Sequence, residues 1–424
     1  MKKTGVAILG YGTVGGGTYQ LILSRSEQIK AEYGIDLSLQ AVLVRNKDKA
    51  ITKGADAKYL TTNIKDITLN PSINIVAECI GGIEPARTYI IECLRAGKNV
   101  VTANKELLAK HWDQLEAEAK KTNTGIYFEA TCAGGVPIIR TMTTAMQANN
   151  ILQIKGIING TTNYILSRMT DEGASYYDVL KDAQKLGFAE ANPSADVDGF
   201  DAMYKLSILS TLAFNKKIPT EFIFREGISK ITKEDIQCGK EMGLVIKLLA
   251  IAKMVDGKLE ARVHPAFIPK EHPLANVSGA FNAIFLVGDA VGDIMLYGRG
   301  AGALPTGSAV LSDIAFCAGK TDPPRYQEVE KVIDKNEFND NFETEYYIRL
   351  NVHDKAGVLA DITQIFKEND VSITSLTQKE GVDVVPIIFL THKTFESNLK
   401  NSIAKIEKLD SVMSVENIIR VERN

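Results

Sequence analysis

Gly5-Val6-Ala7-Ile8-Leu9-Gly10-Tyr11-Gly12-Thr13-Val14-Gly15-Gly16-Gly17 is a short apolar strand that runs directly into a glycine-rich turn. A helix is expected to follow, from Thr18 to about Lys30. Gly10, Gly12 and Gly15 form Gly-x-Gly-x-x-Gly, in which the turn tightens and the backbone can approach a pyrophosphate seated on the helix N-terminus. Glycine turns are common, so the motif alone carries little. Its place between strand and helix makes it the mark of a dinucleotide site.

The next elements repeat the strand–helix alternation. Leu37 to Val44 reads as a strand, and Ile73 to Glu78 as another before Cys79-Ile80-Gly81-Gly82. A helix from Glu84 to Ala96 and a strand at Lys98 to Thr102 follow, then a strand at Gly125 to Ala130. Such alternation implies a parallel sheet with ligands at the carboxyl ends of its strands. Arg45, just past the second strand, either reads the 2′-phosphate of NADP or is a surface arginine in a loop. Lys105 begins a helix, where the dipole disfavours a cation, so a functional role is expected of it. Cys132 reads as a small buried packing residue, with a nucleophile as the alternative. The glycines around it leave carbonyls near Glu129, an oxygen-rich corner able to hold a cation.

The chain has 424 residues, a formal net charge of −3 and 24% charged residues without a long block of either sign. That allows two or three domains and points away from nucleic acid and anionic membranes as partners. The basic start and short apolar run are not read as a signal peptide, and no run approaches the ~20 apolar residues of a membrane span. Five scattered cysteines, none in Cys-x-x-Cys, suggest reduced thiols and a cytoplasmic protein. The five histidines are too far apart for metal-ligand spacing and read as surface or loop residues.

A second, α+β region for substrate follows, over 136–320. It holds a strand at Ile151 to Ile158, helices through Met169 and from Ser175 to Leu186, and a helix at Gly239 to Met254. Strands are expected at Leu259 to Ile268 and within Ala280 to Leu296, and a helix at Ser308 to Ala318 after a glycine-rich loop. Within this region Glu190 to Lys205 stands out. Asn192-Pro193-Ser194 breaks the chain, and a helix begins near Asp196 or Asp198. Asp198, Asp201 and Lys205 then share one face. This is either a solvated ion-pair stripe or a partly desolvated lysine that nearby carboxylates keep protonated, as a proton donor requires.

Thr321 to Glu345 is polar, contains Pro323-Pro324 and reads as a linker. Residues 346–424 then follow a βαββαβ order, a ferredoxin-like sandwich. His353-Asp354-Lys355-Ala356-Gly357-Val358-Leu359-Ala360, at its first strand–helix turn, resembles an ACT domain. Ala356 departs from the usual proline there. The region either binds an amino-acid effector, with threonine expected, or serves as a dimerisation module.

Taken together, the chain resembles the homoserine dehydrogenase family over essentially its whole length. The resemblance rests on Gly10-Tyr11-Gly12-Thr13-Val14-Gly15, Thr102-Ala103-Asn104-Lys105-Glu106 and Asn159-Gly160-Thr161-Thr162-Asn163. It rests also on Asp196 to Lys205 and on Gly298-Arg299-Gly300-Ala301-Gly302. It implies a Rossmann-type α/β domain over 1–135, closed by part of 300–320, and assembly through the second domain as a homodimer or homotetramer. It implies NAD(P)-dependent interconversion of L-homoserine and L-aspartate 4-semialdehyde, in the route to threonine, methionine and isoleucine. Carried over, Lys105 and Lys205 are catalytic lysines and Glu190 and Asp201 bind substrate. Gly10, Gly12, Thr13, Val14, Gly15, Arg45 and Lys105 contact NADP or NAD, with Gly187 and Gly302 closing over it. A monovalent cation such as Na+ would be held by Glu129 and the carbonyls of Cys132, Gly134 and Val136. Two rivals are an aldehyde-oxidising, phosphorylating dehydrogenase with Cys132 as nucleophile, and a non-catalytic amino-acid sensor.

Overall fold

The computed structural model describes residues 3–326, 329, 331–379, 381 and 383–423. Strands β1 (Lys3–Leu9), β2 (Asp36–Leu43), β3 (Leu60–Thr61), β4 (Ile75–Glu78), β5 (Asn99–Thr102) and β6 (Ile126–Tyr127) form one parallel sheet. Its order is β3-β2-β1-β4-β5-β6, so the strand order reverses beside β1, and the crevice there is where a doubly wound sheet binds its ligand. Val6, Ala7, Ile8 and Leu9 are fully buried, as a strand covered on both faces must be.

The first helix spans Thr13–Tyr33 and not Thr18 onward, so Gly15, Gly16 and Gly17 lie inside its opening turns. The reason is a crossing. A Cβ on Gly17 would stand 2.1 Å from the Ala303 carbonyl oxygen, so this glycine lets the helix Ala303–Ala318 pack backbone to backbone. That second helix begins five residues before the expected Ser308, and it lies in the nucleotide domain's core through Val310 and Ile314.

The rest of the chain adds β7 (Ile151–Ile157), β8 (Phe224–Arg225), β9 (Leu244–Val255), β10 (Lys258–Pro269), β11 (Phe281–Gly288) and β12 (Gly292–Arg299). The last region contributes β13 (Glu343–His353), β14 (Ile373–Gln378), β15 (Val384–Thr391), β16 (Thr394–Phe395) and β17 (Val412–Val421). Val382, where the third strand of that region is expected to begin, lies outside the described residues. The helix expected at Gly239 to Met254 is a correction. A helix covers Lys233–Glu241, Gly243 turns the chain at φ +72°, and β9 follows. β9 lies between β7 and β10, and both its faces are covered, so it carries the continuous apolar run that a buried helix also shows.

Helices Val358–Glu368 and Glu396–Ile406 complete the expected βαββαβ region. Its sheet, however, is not separate. β17 pairs in parallel with β10 at Ala266↔Arg420 and Phe267↔Val421, so one sheet runs β12-β11-β7-β9-β10-β17-β13-β15-β14. The joint is ionic and buried. Arg262, wholly inaccessible, donates to Glu260 Oε2 and Glu422 Oε1, each at 2.6 Å, and its guanidinium lies 4.3 Å from the Phe342 ring centre. His264, expected at the surface, is also wholly buried there, and desolvation pushes its pKa well below the usual value, so it is neutral. The expected linker follows the same surface: Lys217 bridges to Val332, Leu259 bridges to Phe338, and Ile333, Phe338 and Phe342 are buried.

Candidate functional site

The helix expected to start near Asp196 or Asp198 starts at Phe200, after a short helix at Ser194–Val197. Gly199 makes the break, as a left-handed N-cap at φ +82° that a residue with a Cβ would strain to adopt. The main helix, Phe200–Phe214, buries Ala202, Leu206, Ile208 and Leu209, and it takes Asp201 and Lys205 into the interior with them. A buried charge has to be paired. Lys205 Nζ donates to Asp201 Oδ2 at 2.6 Å and to the Ile158 carbonyl at 2.7 Å, the latter at the end of β7.

The other oxygen of the same carboxylate faces the nucleotide domain. Lys105 Nζ lies 2.9 Å from Asp201 Oδ1, with its side chain 40% exposed. One carboxylate therefore joins two lysines from two domains. Burial would push the Asp201 carboxyl up, but the charges of Lys205 and Lys105 hold it well below the usual range. Asp201 in turn raises the Lys105 pKa, which offsets the disfavoured position of that cation at the start of helix Lys105–Lys121.

The start of that helix is held by a chain of polar groups that sequence reasoning did not single out. Glu78, fully buried at the end of β4, accepts from the Ile80 amide at 2.7 Å and from Thr102 Oγ1 at 2.6 Å. Thr102 Oγ1 accepts from the Asn104 amide at 3.0 Å, and Asn104 caps the helix by accepting from the Leu107 amide at 3.2 Å.

Asp198, expected on the lysine face, sits in the turn instead, and its charge adds to burial in raising the pKa of Tyr176. Asp196 takes the place beside Asp201, and burial followed by the Asp201 charge raises its pKa. Asn159 donates to both, to Asp196 Oδ1 at 2.6 Å and to Asp201 Oδ2 at 2.9 Å. Asn159 lies between a strand and a helix, a signal for a cap that says nothing of the carboxylates. Glu190 stands exposed, and among the described residues no ion pair joins it to either lysine. Gly187 is an exposed turn residue at φ +77° in the same stretch.

The crevice beside β1 fits a dinucleotide. Gly10 has φ +97°, and a Cβ on Gly15 would lie 2.1 Å from the Gly10 carbonyl oxygen, so both serve the turn itself. Gly12 differs, because a Cβ there would meet nothing within 4 Å and would project into open space. That is the position where backbone must be approached by a ligand. A hollow of about 570 Å³ continues from it, lined by Gly10, Gly12, Arg45, Lys49, Lys53 and Tyr89. A second of about 650 Å³ is lined by Thr13, Gly16, Gly17 and Ala303, and Gly302 is the N-cap that leads into Ala303. Val14, half-buried, packs against the domain core.

Cys132 is wholly buried 3.8 Å from the Lys205 carbonyl oxygen, and desolvation pushes its thiol up to about 12. A thiol so held is not a nucleophile. The Glu129 carboxylate is committed to protein amides, accepting from Ile139 at 2.8 Å and Arg140 at 2.9 Å. Among the described residues no group of three or more His, Cys, Asp or Glu could hold a metal ion, and no helix is long and apolar enough to cross a membrane.

Comparison with known proteins meets this geometry. The family model for homoserine dehydrogenase matches residues 137–315, its NAD binding domain matches 10–129, and an ACT domain matches 346–411. The homoserine dehydrogenase of Bacillus subtilis is 37% identical, covering 100% of this chain and 99% of its own. The chain belongs to the homoserine dehydrogenase family. A homoserine dehydrogenase from Thiobacillus denitrificans, seen in a crystal structure, is 43% identical with a TM-score of 0.93 and covers 100% of this chain and 99% of that one. A hyperthermophilic archaeal homoserine dehydrogenase in complex with NADPH is 26% identical with a TM-score of 0.65, over 77% of this chain and 100% of that one. As a homoserine dehydrogenase the chain is an oxidoreductase of amino-acid biosynthesis that interconverts L-homoserine and L-aspartate 4-semialdehyde with a nicotinamide cofactor.

Proposed function

We propose that Lys205 is the proton donor and acceptor of this reaction and that Lys105 orients and polarises the substrate oxygen. The observation that carries the reading is the single carboxylate of Asp201 held between the two ammonium groups. The nicotinamide, when bound, supplies or takes the hydride. Reduction of the aldehyde leaves an alkoxide, and Lys205 Nζ gives it a proton. In the reverse direction Lys205 takes the hydroxyl proton, and the cation of Lys105 stabilises the charge that forms on oxygen. Asp201 keeps both lysines aimed at one point and compensates their charge, and with Glu190 it suits the ammonium group of the amino-acid substrate.

NADP is the preferred carrier in this reading. Arg45 lines the hollow beyond β2 with Lys49 and Lys53, which suits a 2′-phosphate, and a related archaeal enzyme is known with NADPH. The turn Cys132 to Val136 bears two successive left-handed residues, Ala133 at φ 53° and Gly134 at φ 54°. With the Glu129 carboxylate engaged by amides, a monovalent cation such as Na+ would rest on the backbone carbonyls of Glu129, Cys132, Gly134 and Val136. The ACT region would take threonine as an effector, and the second domain would join copies into a homodimer or homotetramer in the cytoplasm.

The test is absorbance at the reduced-nicotinamide band with L-homoserine, using NADP and NAD separately, for the wild type and Lys205→Ala. Turnover by the wild type and near-complete loss in the folded variant establish the proton donor. Turnover that survives in Lys205→Ala removes it from that role.

A further inference from the structure

We propose that Asn159 is a positioning residue for the lysine pair: one amide caps a helix and holds two neighbouring carboxylates in place, so that Asp201 keeps one oxygen on each lysine. The inference rests on the roles given above to Lys105 and Lys205.

Four contacts use the whole side chain. Oδ1 accepts from the Thr162 amide at 2.8 Å and from Thr162 Oγ1 at 2.9 Å, which caps the helix Gly160–Glu172. Nδ2 donates its two hydrogens to Asp196 Oδ1 at 2.6 Å and Asp201 Oδ2 at 2.9 Å. A primary amide has two donor hydrogens and one carbonyl acceptor, and all are engaged. The reverse orientation would set oxygen against two carboxylates and N–H against an amide N–H, so the network admits one orientation only. Asn159 itself is 5% exposed. Asp201 Oδ2 thereby takes both the Asn159 amide and Lys205 Nζ, and Oδ1 remains for Lys105.

The titratable groups around this amide come from three elements. Asp196, Asp201 and Lys205 lie on the Ser194–Phe214 stretch, Lys105 lies on its own helix, and Cys132 lies on the loop after β6. The two lysines neutralise Asp201, and the Asn159 amide is the donor shared with Asp196. No other common residue both caps and donates here. Aspartate caps equally well but replaces two hydrogens with a negative charge, and serine caps without the reach.

Asn159→Asp is therefore the informative variant, because it keeps the cap and inverts the electrostatics. We expect kcat/KM for L-homoserine to fall about 30-fold, the loss of a hydrogen bond to a charged group. The acid limb of its pH profile moves upward, since a third carboxylate raises the pKa of its neighbours. Melting supplies a readout independent of turnover. Clustered carboxylates raise the pKa of the introduced carboxyl in the folded state and make Asn159→Asp less stable relative to the wild type at pH 8 than at pH 5. A cap alone shows no such difference, because its carboxyl is already ionised at pH 5 in the folded and the unfolded chain. Asn159→Ser, which adds no carboxyl, should lose activity without that pH dependence of stability. An Asn159→Asp protein whose acid limb stays in place, or whose stability relative to the wild type is no lower at pH 8 than at pH 5, would overturn the proposal. A wild type without turnover would instead defeat the lysine assignment, and the melting comparison would still decide the role of Asn159.

Discussion

Lys205 and Asp201 lie four residues apart on one helix, with Nζ 2.6 Å from Oδ2 and both side chains buried. An exposed pair at this spacing contributes only a few tenths of a kcal/mol. Burial changes its meaning, because each charge now depends on the other, and the second carboxylate oxygen is left to reach Lys105 across the domain boundary.

Asp201→Asn should leave two cations facing a neutral amide. Removal of one partner from a buried pair destabilises by about 3–5 kcal/mol. The folded-state pKa of Asp201 is lowered, so its contribution is fully present above its unfolded value of about 4 and is lost as pH falls through the lower folded value. The wild type should therefore gain stability over the variant from strong acid up to about pH 4, and thermal melting across that range checks it. Turnover by the variant should fall at least about 100-fold.

Cys132→Ala should retain homoserine turnover within about twofold, with a stability change near 1 kcal/mol for the lost sulfur. Its thiol is buried and held at about 12, so thiol-directed alkylation of the native protein should leave it unmodified. Abolished activity in a folded Cys132→Ala protein would restore the nucleophile reading.

Arg45→Ala should raise KM for NADP about tenfold while changing KM for NAD little, because only the phosphate carries the extra charge-assisted bonds. Equal effects on both cofactors would place Arg45 elsewhere than at a 2′-phosphate.

Deletion of the ACT region from Glu343 onward should damage the whole protein rather than merely free it from regulation. It strips Glu422 from the inaccessible Arg262, and it uncovers the edge of β10 where β17 pairs. A buried arginine left with Glu260 alone and an open strand edge both favour misfolding or aggregation. Solubility and melting temperature of the truncated chain are the measurements, and a truncated protein as stable as the full chain would contradict this account.

Much of the nucleotide domain was legible because its signals are local. The run Val6 to Leu9 and the glycines after it specify a strand and turn within a dozen residues. β9 was misread as a helix because Leu244 to Met254 is apolar almost throughout, and a run buried on both sides has no period to distinguish strand from helix. His264 was misplaced for a related reason: burial of that position depends on Phe342 and Glu422, which approach it only after folding.

At the site, Lys105, Asp201 and Lys205 are visible in the sequence as residues with suspicious placements, Asn159 only as part of a motif, and Asp196 as a candidate helix cap rather than as a neighbour of Asp201. The sequence by itself determined the turn at Gly10 to Gly15, the strand–helix alternation and the order of the last βαββαβ region. Local sterics and periodicity act within a few residues and need no partner. Only the tertiary structure decided that one carboxylate is shared by lysines from two domains and that two regions share one sheet. Those contacts join residues about a hundred or more positions apart, and their energies come from desolvation, which has no value until the surrounding chain has excluded the water.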